Sequence, residues 1–203
     1  MFITFEGGDG TGKTTQINLL KEYLEQRGEQ VVISREPGGT PVAEKIRDIL
    51  LDKNNVMDDV TEAYLYASAR AEHVRGVVKP ALDAGKTVLC DRYLDSSVAY
   101  QGYGRGLTPE RVLEINREAV EGVLPDRTYL LVLDKAAAEK RVTERGEKDR
   151  MESNGDGFKQ RVAEGFLKEA EKNPQRIVVI DAGRGIEDVA ADIRADIEKL
   201  LAK

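Results

Sequence analysis

Eight consecutive residues, Gly7-Gly8-Asp9-Gly10-Thr11-Gly12-Lys13-Thr14, spell G-x-x-x-x-G-K-[ST], and the apolar run Phe2-Ile3-Thr4-Phe5 stands directly before them. An apolar strand, a glycine loop and a helix start in that order constrain this chain more than any other feature. Glycines let successive backbone N–H groups turn inward toward one anion. A helix beginning near Lys13 points the positive end of its dipole at the same place. Lys13 adds a charge for the outer phosphates, and the Thr14 hydroxyl can ligate the magnesium ion that accompanies a nucleoside triphosphate. The expected phosphate-binding segment runs from Gly7 through Thr15. A mere glycine turn between strand and helix has no use for the Lys-Thr pair.

Downstream, short apolar runs alternate with amphipathic stretches. Ile17, Leu19, Leu20, Tyr23 and Leu24 recur at helical spacing up to Arg27-Gly28, and Val31-Val32-Ile33 reads as a buried strand. The spacing predicts helices over 41–51, 58–84 with an adjustment near Pro80, 108–122, 135–145, from about 158, and from 186. Further strands are expected at 87–90, 129–133 and 177–180. The alternation implies an α/β fold, a five-stranded parallel sheet with helices on both faces. Ligands in such sheets bind at the carboxyl edge of the strands. At 203 residues we expect a single domain over 1–203. Residues 145–157 are charged and glycine-bearing with almost no apolar content, and we expect a mobile lid there.

Composition narrows the function classes. A net charge of −6 does not fit a nucleic-acid-binding surface, so anions must be held by local arginine clusters. No run approaches the length of a membrane span, and Met1-Phe2-Ile3 enters the first strand with no basic leader, so a cytoplasmic protein is expected. The one cysteine, Cys90, lies in an apolar strand and is expected to be buried and inert.

Four further clusters are expected at the edge that holds the phosphate loop. Asp91-Arg92 ends a buried strand; the carboxylate can serve a metal and the guanidinium can grip a phosphate, the plainer reading being a surface ion pair. Tyr66 and Arg70 share a helix face and could stack on and hydrogen-bond a flat base, though aromatics at this spacing are commonly core and Glu62 could simply pair with Arg70. The stretch 95–106, with Ser96, Ser97, Tyr100 and Gln101, suits a base and sugar, or is only a glycine-rich loop. Arg141, Arg145 and Arg150 could bring a charge onto a transferring phosphoryl group, or be a solvated face. His73 carries no assigned role.

Together these segments resemble bacterial thymidylate kinases, of the nucleoside monophosphate kinase group of P-loop proteins. The resemblance runs nearly end to end through Phe5-Glu6-Gly7, the phosphate loop, Arg35-Glu36-Pro37-Gly38-Gly39-Thr40, Glu62 through Arg70, Asp91-Arg92-Tyr93, Ser96 through Gly102, and Arg145-Gly146-Glu147-Lys148-Asp149-Arg150. It implies a three-layer P-loop kinase fold and MgATP-dependent phosphorylation of dTMP to dTDP, on the route to dTTP. Its partners would be ATP, dTMP and a second copy of the chain, with no nucleic acid or membrane. On that resemblance Asp9 faces the acceptor's sugar, and Lys13, Thr14 and the loop amides hold the donor phosphates. Mg2+ falls to Thr14 and Asp91. Arg92, Arg47 and Arg35 grip the acceptor phosphate. Tyr66 stacks on thymine, Arg70 donates to its O4, and Ser97, Tyr100 and Gln101 complete the pocket. The phosphate loop has no arginine within it, so the catalytic arginine comes from the lid, Arg150 first and Arg145 second. Adenine lies near Ala182-Gly183-Arg184.

Overall fold

The computed structural model describes residues 1–145 and 149–202, and the side chains of all of these except Glu144 and Arg145. Its centre is strand β1 (Phe2–Glu6), buried along its whole length. Strands β2 (Val31–Arg35), β3 (Thr87–Asp91), β4 (Arg127–Val132) and β5 (Ile177–Asp181) join it in one parallel sheet of order β2-β3-β1-β4-β5. Side chains alternate along a strand. Ile3 and Phe5 therefore face α1 (Lys13–Gln26) and α9 (Ile186–Leu201), where they pack with Ile17, Leu20, Leu24, Val189, Ile193 and Ile197. Phe2 faces the other way, against Val74, Val78, Val88 and Tyr93.

That second face carries α2 (Pro41–Leu51), α3 (Asp59–His73), a π-helical turn over Val74–Val78, α4 (Lys79–Asp83), α5 (Leu94–Ser97), a π-helical stretch over Val98–Gly104, α6 (Pro109–Val120) and α8 (Asp156–Lys172). Helix α7 (Lys135–Arg145) lies over the phosphate loop. Thr40 caps α2 by accepting from Ala43 N at 3.1 Å with Pro41 in the first turn, and Asp58 caps α3 by accepting from Val60 N at 2.8 Å.

The helix expected over 58–84 is broken at 74–78, where the chain widens into a π turn before Pro80. Residues 94–104, to which no helix is assigned from sequence, form α5 and the π stretch that follows it. Met151, the apolar exception in the segment expected to be a lid, is buried with Phe158, Val162 and Phe166. Among the described residues no helix is long and apolar enough to cross a membrane. Cys90 is fully buried in β3, its Sγ donating to the Arg92 carbonyl at 3.1 Å, and burial pushes its thiol pKa well up.

Candidate active site

Parallel strands bring their carboxyl ends to one edge. There the register sets Phe5 beside Asp91 and Asp91 beside Arg35. A cleft of about 670 Å³ opens at this edge, lined by residues 9–16 of the loop region and by Arg35, Arg47, Tyr66, Arg70, Asp91, Arg92, Ser97, Tyr100, Gln101 and Arg141.

The phosphate loop rests on β4. Gly7 has a φ of 126°, and a Cβ there would lie 2.3 Å from the Leu131 carbonyl oxygen. Only glycine has both the conformation and the clearance. Thr11 Oγ1 donates to Gly8 O at 2.9 Å, and Lys13 Nζ donates to Gly8 O at 2.9 Å and Gly7 O at 3.2 Å. Burial, and then the Arg92 charge, lower the Lys13 pKa to about 8.

Thr14 Oγ1 donates to Asp91 Oδ2 at 3.4 Å. The other oxygen, Asp91 Oδ1, is buried and meets no hydrogen-bond donor. A hydroxyl beside an orphaned carboxylate oxygen at a phosphate loop fits a magnesium ion completed by phosphate oxygens and water. Among the described residues no group of three His, Cys, Asp or Glu forms an all-protein metal cage.

Arg92 sits at φ 68°. From this left-handed turn NH2 donates to Asp9 Oδ1 at 2.7 Å, and NH1 donates to Gly7 O at 3.0 Å and Ser96 Oγ at 3.2 Å. Its guanidinium lies 5.3 Å from the Tyr100 ring centre. The buried Glu6 holds this turn from beneath. Glu6 Oε1 accepts from Tyr93 N at 2.8 Å and Ser96 N at 3.3 Å, and Ser96 Oγ lies 2.5 Å from Oε2. Burial, and then the neighbouring Asp95, raise the Glu6 pKa to about 8.

On the opposite wall Arg70 is 2% exposed and lies wholly among protein acceptors. Nε donates to Glu36 Oε2 at 2.8 Å, NH1 to Ser97 Oγ at 3.0 Å and to Asn116 Oδ1, and NH2 to Tyr93 O at 3.0 Å. The partner of Arg70 is therefore Glu36; Glu62, the alternative its spacing suggests, instead takes Arg105 at 2.9 Å, Arg150 at 2.7 Å and the Gln101 amide at 2.8 Å. Arg47 NH1 donates to Pro37 O at 2.9 Å, while Arg35 is paired with Glu44 at 2.8 Å.

The lid arginines separate. Arg150, bound to Glu62 and donating from Nε to Leu50 O at 2.6 Å, does not line the cleft. The Arg145 side chain lies outside the described residues, as do Gly146, Glu147 and Lys148. Arg141 reaches the loop, NH1 donating to Gly10 O at 3.2 Å. Ala182 and Arg184 line the far end of the cleft, where Arg184 is tied to Asp192.

Sequence reasoning missed the support beneath the site: Glu6, Glu36, His73 and Asn116, all buried. A charged residue inside an apolar strand was the available signal for Glu6. No spacing rule points to Glu36 or Asn116, whose partners lie 34 and 46 positions away.

Comparison with known proteins bears on the family and the fold. A family described as "Thymidylate kinase" matches residues 5–193. The chain is 46% identical to a thymidylate kinase of Exiguobacterium sibiricum over 203 residues, covering 100% of this chain and 96% of the relative. It is 49% identical to one of Clavibacter sepedonicus with the same coverage. The crystal structure of thymidylate kinase from Ehrlichia chaffeensis superposes with a TM-score of 0.79 at 36% identity, covering 98% of each chain. A family match over residues 5–193, relatives 46% and 49% identical along the full chain and a solved neighbour of the same fold place the chain in the thymidylate kinase family.

Proposed function

We propose that the cleft transfers the terminal phosphoryl group of ATP to dTMP, giving dTDP for dTTP synthesis. The observation that carries this reading is the 2.7 Å pair between Arg92 and Asp9. It sets a strand-end guanidinium beside the donor-phosphate loop, so that two phosphate sites adjoin.

The roles follow from chemistry. The loop amides of residues 7–15 and Lys13 hold the donor phosphates. Thr14 and Asp91 would hold Mg2+, which would supply positive charge to neutralise the phosphates. Arg92 and Arg47, with Arg35 at the rim, take the acceptor phosphate. An acceptor phosphate oxygen is already anionic and needs no strong base, so positioning and charge neutralisation supply most of the rate. Arg141 and Arg145 of α7 are the proposed lid cations. Arg150 is assigned instead to the Glu62 anchorage.

Tyr66 and Tyr100 wall the base pocket. Arg70, expected to donate to the thymine O4, spends its N–H groups on Glu36, Ser97, Asn116 and Tyr93, so the O4 role is proposed for the Arg70–Ser97 pair, in which Ser97 keeps an O–H able to donate. The Arg70 guanidinium beside it has no acceptor, so a 4-amino pyrimidine meets a less favourable wall than a 4-oxo one. The thymine methyl is worth only about 1 to 3 kcal/mol, so dUMP serves as a slower substrate.

The partner implied by the family resemblance is a second copy of the chain, and Val42 and Ile49 of α2 with Tyr64 of α3 are about half exposed, at 49%, 46% and 58%. Light scattering tests for a dimer. The reaction's substrates assign the protein to the cytoplasm. The test of function is ADP formation from MgATP with each nucleoside monophosphate. Rapid turnover with dTMP, slower with dUMP and negligible with cytidine or purine acceptors supports the reading. Turnover independent of acceptor overturns it.

A further inference from the structure

Two positive charges with different tasks meet at one carbonyl. Gly7 O accepts from Lys13 Nζ at 3.2 Å and from Arg92 NH1 at 3.0 Å, so a single backbone oxygen spaces the donor-phosphate cation from the acceptor-phosphate guanidinium. The residue just before that glycine is Glu6, the last of β1 and fully buried. Its backbone leads into the donor loop, while its side chain reaches across to the turn that follows Arg92.

That turn is bracketed. Arg92 N donates to Phe5 O at 2.9 Å on one side of the residue, and Tyr93 N donates to Glu6 Oε1 at 2.8 Å on the other. Between them Arg92 holds φ 68°, a conformation that a residue with a side chain keeps only where its surroundings impose it. Glu6 Oε1 also takes Ser96 N at 3.3 Å, and Oε2 lies 2.5 Å from Ser96 Oγ, which accepts from Arg92 NH1 at 3.2 Å. One carboxyl group therefore fixes both the backbone that aims Arg92 and a hydroxyl on which its guanidinium rests. Helix α5 is secured separately. Its Asp95 takes Arg176 NH1 at 2.6 Å and NH2 at 2.8 Å, and the same NH1 reaches Thr128 Oγ1 of β4 at 2.8 Å. Loosening Glu6 thus frees the Arg92 turn without releasing α5 from the sheet.

We infer that Glu6 is a positioning residue that registers Arg92 on the phosphate loop, so that the acceptor phosphate stands at reacting distance from the donor phosphate and in line with it. The inference rests on the roles given above to Lys13 and Arg92. Each nucleotide has further contacts of its own, the donor with the loop amides and the acceptor's nucleoside with the cleft walls, so both bind when the register is lost. A freed Arg92 still meets the acceptor phosphate, but at many angles instead of one. What suffers is transfer: a displacement of about 1 Å between reacting groups costs about 10²-fold in rate.

The test separates binding from transfer. Dissociation constants for dTMP and for ATP are measured by calorimetry, the single-turnover rate of ADP formation by rapid quench, and folding by thermal unfolding, with Arg92→Ala as reference. Glu6→Met fills the same length of side chain and leaves Tyr93 N and Ser96 N without their acceptor. It is expected to lower the single-turnover rate about 10²-fold while both dissociation constants stay within about fivefold of wild type. Glu6→Gln keeps an oxygen for the two amides and turns an N–H to Ser96 Oγ. It is expected to bring the rate back to within about fivefold of wild type.

A Glu6→Met rate within threefold of wild type overturns the inference. So does a rate loss matched by equally weakened binding of either nucleotide, or one that Glu6→Gln shares in full. If Arg92→Ala is slow and Glu6→Met is not, the Arg92 role stands and only the Glu6 link fails. If Arg92→Ala keeps the wild-type rate, both fall. Should Glu6→Met not fold, Ser96→Ala cuts the same link at the hydroxyl. A tenfold slower single turnover there, with both nucleotides bound as in wild type, supports the inference, and a rate within threefold overturns it.

Discussion

Glu62 Oε2 and Arg150 NH1 lie 2.7 Å apart, joining helix α3 to the segment that follows α7, and the same carboxylate takes Arg105 at 2.9 Å. Burial works to raise the Glu62 pKa, and the hydrogen bonds from Arg105, Gln101 and Arg150 outweigh it, leaving the pKa below the ordinary carboxylate value. A carboxylate lowered in the folded state stabilises above its unfolded pKa and ceases to do so as pH falls. Glu62→Gln is therefore expected to lose about 3 to 5 kcal/mol at neutral pH, because two guanidiniums lose their counter-charge. Urea unfolding should show the gap to wild type narrowing below about pH 4.5. A constant gap across pH would mean that shape, not charge, holds the segment.

Arg150 and Arg141 are expected to fail differently. Arg150→Met should speed proteolysis within residues 149–155 while changing kcat less than about tenfold. Arg141→Ala should leave proteolysis unchanged and lower kcat about 10²- to 10³-fold, the range for removing one donor aimed at developing charge. The opposite pattern would return the catalytic role to Arg150.

The left-handed backbone at Arg92 separates stability from activity. A residue with a Cβ is strained there and glycine is not. Arg92→Gly is expected to be more stable than Arg92→Ala by about 1 kcal/mol, with both at least about 10²-fold slower in kcat/KM. Equal stabilities in denaturant would show the turn to be unstrained.

Glu6 predicts a pH slope of the opposite sign to Glu62. Its proton is retained up to about 8 in the folded protein, against an ordinary value of 4.5. Between those values the folded state binds more protons than the unfolded one, so stability falls as pH rises. Glu6→Gln keeps the acceptor for Tyr93 N and Ser96 N and removes the titration. It should gain on wild type steadily from about pH 4.5 to about pH 8 and no further above that. Parallel curves would place the charge elsewhere.

Lys13, lowered to about 8, is partly deprotonated in the free protein at that pH. Phosphate oxygens restore its proton, so ATP binding at about pH 8 should take up about half a proton, and almost none at about pH 6.5. Calorimetry in buffers of different ionisation enthalpy reads this directly. Lys13→Met should abolish the difference.

Much of this molecule was legible in its sequence because local chemistry and tertiary structure agree. The strand before the glycine loop, the Thr40-Pro41 helix start and the five apolar runs all lie where period and capping put them. The π turns at 74–78 and 98–104 were not legible, since each inserts extra backbone without a residue that demands it. Arg70 shows a deeper limit. Its helix face was apparent from the spacing to Tyr66, but its partners come from β2's loop, from α5 and from α6, and only the folded chain makes those neighbours. The Arg150 assignment failed to reach the cleft for the same reason: nothing near it in sequence announces Glu62, 88 positions earlier.

Cys90 has a practical consequence. The chain holds one cysteine, sealed in β3 with its thiol tied to a backbone carbonyl. It will not compete for a maleimide dye while the protein stays folded. Ser153, exposed in the segment that Arg150 anchors, can be changed to cysteine and become the sole reactive thiol. One fluorophore there reports how that segment travels as nucleotides bind, in a background where no native residue has to be removed first.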